Sequence, residues 1–180
     1  MFTLIDRTYR SLNRLGDSLL PLLARLVFAG VLFMYYINSG LTKLGDGIAG
    51  LWTPSLGAYA QIFPKQMEAV GYDVSQLPGY STIIVLAGTW AEFILPVLII
   101  VGLLTRPAAL GMIGFVVVQS LTDIIGHGAE AGTWFDGSSD SLIMDQRSLW
   151  VLLLLILVFK GAGWLSLDRL INGRGADPVV

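Results

Sequence analysis

Four long apolar runs alternate with polar stretches along the 180 residues. They cover about 19–44, 80–104, 107–126 and 146–165. Roughly 20 apolar residues in an α-helix cross a hydrocarbon core of about 30 Å, so each run predicts one transmembrane helix. The Thr105-Arg106-Pro107 turn is so short that the second and third helices must pack antiparallel. The stretch 45–79 breaks the pattern with Gly45, Gly47, Gly50, Pro54, Gly57, Pro64, Gly71, Pro78 and Gly79, residues that punctuate chains as turns and loops. Within it, Tyr59 to Val70 predicts one short amphipathic helix. Trp52, Tyr59, Phe63 and Tyr72 suit an interfacial belt, so a structured loop on the outer leaflet is expected. Residues 1–18 form a polar, basic segment before the bundle, and 166–180 a polar tail after it. The first run is not read as a secretory signal: it is too long, Arg25 interrupts it and no small-residue cleavage site follows.

The expected fold is therefore all-α: an antiparallel four-helix bundle in a membrane, with a short amphipathic helix in the first outer loop. Charge orients it. One side holds Arg7, Arg10, Arg14, Arg106, Arg169 and Arg174, with Lys160 close by. The two longer loops set Lys43, Lys65 and Arg147 against Asp46, Glu68, Asp73, Glu130, Asp136, Asp140 and Asp145. The positive-inside rule then puts both termini in the cytoplasm.

Composition agrees and removes some chemistry. Hydrophobic residues make up 54% and charged residues 13%, with a mean hydropathy of +0.72, whereas soluble domains carry about 25% charged residues. There is no cysteine and one histidine, which excludes disulfides, thiolate metal sites, iron–sulfur clusters and a bis-histidine haem within this chain. Electrons passing through it need a bound carrier or a partner. Phosphate loops, nucleophile elbows and dinucleotide fingerprints are missing, and no ligand spacing such as HxxxH or CxxC predicts a metal site. Basic residues are too few and dispersed for nucleic acid.

The informative residues are the polar ones inside the apolar runs, because ionisable groups at that depth are costly unless paired, protonated or wetted. Glu92 sits near the middle of the second run. It reads as half of a structural ion pair, as a protonated carboxyl, or as a proton-handling or ligand-binding group. Arg25 either snorkels to the interface or turns inward to Glu92 across an axial offset of roughly 10 Å. Gln119, Asp123 and His127 recur every fourth residue, which places them on one helix face. Asn38, Thr42 and Lys43 on the first helix, with Asp145, Gln146 and Arg147 at the start of the fourth, are expected at the same depth. Together they make a candidate polar pocket under the outer surface. Ordinary inter-helix hydrogen bonding, worth about 1 kcal/mol or less per contact, is the plainer alternative. For Asp123 and His127 the alternative is an imidazole that a neighbouring carboxylate sets to bind a quinone oxygen or relay a proton.

These pieces resemble the DoxX family of small bacterial and archaeal membrane proteins. The matching features are Arg25 early in helix one, Gly40 and Lys43-Leu44 at its end, and the A-E-F-x-L-P-x-L-x-x-x-G-L-L-T-R segment with Ala91, Glu92, Gly102, Thr105 and Arg106. The closing G-A-G-x-L-S-L-D follows, with Gly161, Gly163, Ser166, Leu167 and Asp168. Ala162 stands where family members often have proline, and Asn38-Ser39-Gly40 replaces a histidine-bearing motif. The resemblance implies a four-helix membrane bundle, with the bacterial cytoplasmic (inner) membrane as its expected location. Some relatives are linked to membrane oxidoreductases, thiosulfate:quinone oxidoreductase among them, and others to redox-stress complexes. The expectation is a membrane subunit of a redox complex that binds a quinone or similar hydrophobic ligand at Glu92, Arg25, Asp123 and His127, with a redox partner protein, lipid contact and homo-oligomers as its associations. At most it is an accessory or quinone-contacting subunit of such an oxidoreductase. A non-enzymatic scaffold or carrier, with Glu92–Arg25 as a latch, is the alternative. A transporter is a third reading, to which four spans without a clear repeat are a poor match.

Overall fold

A computed structural model describes residues 2–171 and 173. Arg174 and the rest of the tail beyond it lie outside the described residues. Helix α1 runs Phe2–Phe28, widens into a π-helical segment at Ala29–Phe33, and resumes as Met34–Lys43. Two short helices follow, α2 (Leu56–Ile62) and α3 (Pro64–Ala69). Helix α4 spans Tyr80–Val101, and α5 spans Thr105–Leu121 with a π segment at Thr122–Gly126. Helix α6 starts as a π segment at Leu142–Arg147 and continues as Ser148–Lys160, and α7 is Leu167–Ile171. Four helices among the described residues are long and apolar enough to cross a membrane: α1 from Asp6, α4, α5 and α6.

The core is the seam shared by these four spans. Ala24, Phe28, Leu32 and Tyr36 of α1 meet Ile99 of α4, Ala108, Ala109, Met112 and Val116 of α5, and Leu154 and Leu157 of α6. Large apolar side chains such as Leu26, Val31, Ile83, Val118 and Leu149 point outward instead. In water that would be a liability; in acyl chains it is the expected surface.

The 45–79 stretch does not form the single 59–70 helix. Phe63-Pro64 splits it, because proline has no amide hydrogen to continue the ladder and starts a new helix at N1 instead. Nor does the stretch stand apart from the bundle. Ala58, Tyr59 and Met67 are buried in a cluster with Val85 of α4, and the Tyr59 hydroxyl lies 2.9 Å from Thr82 Oγ1. The loop thus flanks the first half of α4. Further out, Asp73 caps the turn at Val74–Gln76. Hydrogen bonds from the Gln76 and Ser75 side chains, then the Ser75 amide, hold its carboxyl below the usual carboxylate range.

Candidate functional site

Glu92 is paired, but not with Arg25. Lys43, the last residue of α1, donates to both carboxylate oxygens of Glu92 at 3.0 and 2.9 Å. Ser39, one turn earlier, donates to Oε1 at 3.0 Å and accepts from Lys43 Nζ at 2.7 Å. Spacing of four residues puts Ser39 and Lys43 on one helix face, so a short polar rung faces α4. Lys43 and Glu92 are both buried. Close packing brings them together: a Cβ on Gly40 would lie 2.7 Å from the Phe93 ring, so only a glycine lets the end of α1 approach α4 here.

Arg25 sits too far along for the expected pairing. It lies beside Ile99 and Ile100 of α4, seven to eight residues beyond Glu92, or roughly 11 Å at 1.5 Å per residue. Its guanidinium serves backbone carbonyls instead. Nε donates to Ile99 O at 3.0 Å, and Nη2 donates to Ile100 O. Nη1 donates to Ala162 O at 3.0 Å and to Leu165 O at 2.5 Å. The last carbonyls of a helix have no partner within it and carry partial negative charge, so a buried cation at the end of α4 satisfies both needs. Nor does Arg25 snorkel: it is only 8% exposed. Next to it, Asp168 accepts from the amides of Leu104 at 2.7 Å and Thr105 at 3.0 Å, capping the start of α5. The knot therefore ties α1, the α4–α5 turn and the segment after α6.

The three polar residues of α5 go to three different partners. Asp123 accepts from Arg147 Nη2 of α6 at 2.5 Å, and Arg147 Nη1 reaches Ser120 at 3.1 Å. Gln119 donates to the Tyr35 hydroxyl of α1 at 2.8 Å. His127 is exposed, and its Nε2 lies 2.9 Å from Gln61 O of the loop. The expected Asp123–His127 pair is not formed. Asp123 is drawn to Arg147 of α6, whereas His127 caps the π segment at Thr122–Gly126 and meets the loop carbonyl of Gln61. Asn38 is exposed and joins neither ion pair. Of the seven residues singled out from the sequence, the structure joins Glu92 to Lys43, brings Asp123 and Gln119 near one another only through Arg147, Trp150 and Tyr35, and leaves Arg25, Asn38 and His127 in separate surroundings.

A different cluster emerges where the outer halves of α1, α5 and α6 meet. Tyr36 is 0% exposed, yet its hydroxyl has no hydrogen-bond partner among the described residues; the same holds for Gln119 Oε1 and Arg147 Nε. These groups share aromatic neighbours. The Tyr36 ring lies 5.0 Å from Tyr35, 5.8 Å from Phe115 and 6.4 Å from Trp150, and the Arg147 guanidinium sits 6.0 Å from the Trp150 ring. An unpaired buried polar atom costs about 1–3 kcal/mol, so three together are unusual in a packed bundle. Tyr36 was missed because a tyrosine in an apolar run reads as core. Arg147 belongs to the polar pocket expected from the sequence, but its partners there, Asp123 and Ser120, are set only by the packing of α5 on α6.

The model of the DoxX family matches residues 20–122. The chain belongs to the DoxX family. The matched stretch carries the Lys43–Glu92 pair, Arg25, Tyr36 and Gln119, and it ends before α6 supplies Arg147 and Trp150. The closing Gly161–Asp168 motif also lies beyond it, where Asp168 and the carbonyls of Ala162 and Leu165 complete the DoxX bundle. No curated protein and no solved structure matches the chain.

Proposed function

We propose that this DoxX protein is a membrane-embedded subunit of a redox assembly, and that it holds a quinone or similar small hydrophobic carbonyl compound at Tyr36, Gln119 and Arg147. The observation that carries the reading is the set of three buried, unpartnered polar atoms from three spans. Their chemistry is complementary to such a ligand. The Tyr36 hydroxyl and Arg147 Nε–H can donate to a carbonyl oxygen, and Gln119 Oε1 can accept from the hydroxyl of the reduced form. Tyr35, Phe115 and Trp150 offer ring faces for the apolar body. Asp123 already neutralises Arg147, which suits an uncharged guest. The chain has no cysteine and a single histidine, so the electron carrier on the other side of the exchange belongs to a partner.

The test is titration of a ubiquinone or menaquinone analogue into purified wild type, Tyr36→Phe, Gln119→Leu and His127→Ala. Each of the first two variants should bind about tenfold more weakly, the worth of one hydrogen bond of roughly 1.4 kcal/mol. His127→Ala should bind like the wild type. Equal binding by all four, or none by the wild type, defeats the reading.

A second reading draws on a separate observation. Glu92 is matched by Lys43 and Ser39, and Arg25 by four carbonyls, which favours a structural rather than proton-handling role for these two. On that view the protein is a scaffold. A partner that co-purifies undiminished with Tyr36→Phe and Gln119→Leu, with no quinone bound by any form, would support the scaffold over the ligand site. For either reading we place both termini in the cytoplasm, since Arg7, Arg10, Arg14, Arg106 and Arg169 gather at that end. Labelling of single cysteines at the termini by an impermeant reagent in intact cells would contradict this.

A further inference from the structure

Helix α1 is too long for its bilayer. From Asp6 to Lys43 it has 38 residues, about 57 Å at 1.5 Å per residue, against a hydrocarbon core of about 30 Å. The bundle's end is marked by Asp17, 2.5 Å from Lys160 at the last turn of α6. Residues before Asp17 continue past it, and 6–15 are all exposed. The extension leaves Leu12 and Leu15 exposed, and burying them against a partner is favourable.

The pattern on its surface selects the partner. Leu12, Leu15, Leu19, Leu22 and Leu26 are spaced three, four, three and four residues apart. That is the alternation of a coiled-coil seam. Leu12 and Leu15 are each 55% exposed and Leu26 is 65% exposed. The stripe runs unbroken from the extension into the span, on the side turned away from the bundle, whose contacts use Pro21, Ala24, Arg25 and Phe28. In the extension the positions flanking the seam, Ser11, Gly16 and Ser18, are small and uncharged, so two backbones can approach; within the span the flanks are Leu23, exposed, and Arg25, buried in the bundle. Arg7, Arg10 and Arg14 fall outside the seam, where like charges on two copies would stay apart.

We propose that α1 pairs with α1 of a second copy of this chain through the leucine seam. Copies inserted the same way in one bilayer present parallel α1 helices. A two-fold axis along the membrane normal then sets Leu12 against Leu12 and Leu15 against Leu15, the self-complementary arrangement of an isologous dimer. The extension pairs in water, where burying leucine is favourable, and the span continues the same seam through lipid. This pairing is independent of the ligand site.

The chain has no cysteine, which permits a clean test on the full-length protein in lipid nanodiscs and in native membranes. Leu15→Cys should form a disulfide-linked dimer on mild oxidation, and Arg14→Cys, one residue round the helix, several-fold less. Leu12→Lys with Leu15→Lys should shift the wild-type particle to half its protein mass. Equal cross-linking at both positions, or a monomeric wild type, overturns the proposal. So does quenching by brominated lipid of a fluorophore attached at the Leu15→Cys position, which would mean the extension lies on the bilayer surface.

Discussion

Lys43 Nζ and Glu92 Oε2 lie 2.9 Å apart, with neither side chain more than 6% exposed. A pair this dry gains little over an apolar packing of the same shape, but losing one member leaves an uncompensated charge, at a cost of about 3–5 kcal/mol. Lys43→Met alone should therefore lower the melting temperature in detergent sharply. Lys43→Met combined with Glu92→Leu should recover most of the loss. Thermal unfolding followed by tryptophan fluorescence reads both, and a double variant as weak as the single one would show that the pairing is not what stabilises this joint.

Arg25 makes a separate demand. Lysine carries the charge but not the planar fork, and one ammonium cannot reach carbonyls on both α4 and the segment after α6 in the way Nε, Nη1 and Nη2 do. Arg25→Lys should fold yet lose at least one charge-assisted hydrogen bond, worth roughly 1.5–3 kcal/mol. Limited proteolysis should then cut more readily near Leu165 than in the wild type. An unchanged digestion pattern would contradict the knot.

Tyr36→Phe makes two predictions of opposite sign. Removing an unpaired buried hydroxyl should raise the stability of the ligand-free protein by about 1–3 kcal/mol, while quinone binding weakens. A purely structural tyrosine would lose stability on truncation, so melting with and without the quinone analogue separates the two.

Gly102 ends α4 at φ +70°, and a Cβ there would stand 2.6 Å from Ser166 Cβ and 2.9 Å from Arg25 Cζ. Gly102→Ala should cost both the left-handed conformation and the seat of Arg25. Its melting temperature should fall further than that of Gly114→Ala, where an added Cβ meets nothing within 4 Å. Equal effects would argue that Gly102 is an ordinary helix terminator.

The four spans were legible because the period of burial and the length of each apolar run are written in the residues themselves. The partners were not. Glu92 met Lys43 rather than Arg25 because the offset between α1 and α4 depends on how Gly40 and Phe93 pack, which no periodicity records. Gln119, Asp123 and His127 read as one face under a regular helical period, but Tyr35, Arg147 and the Gln61 carbonyl on three different elements claim them separately. The split at Phe63-Pro64 could be anticipated from the proline alone. Tyr36 could not, since its significance lies in a missing partner rather than in its residue type.

The position of Arg25 also orders the assembly of the molecule in time. Chains are made from the amino terminus, so this cation enters the membrane with the first span. Two of the carbonyls that receive it belong to Ala162 and Leu165, synthesised 137 and 140 residues later. Until the fourth span has been inserted, the first carries an arginine with half its acceptors still unmade, and the bundle stays open at that end. Closure thus waits for the fourth span, and a chain that stops short of it is left with a half-served charge in its first.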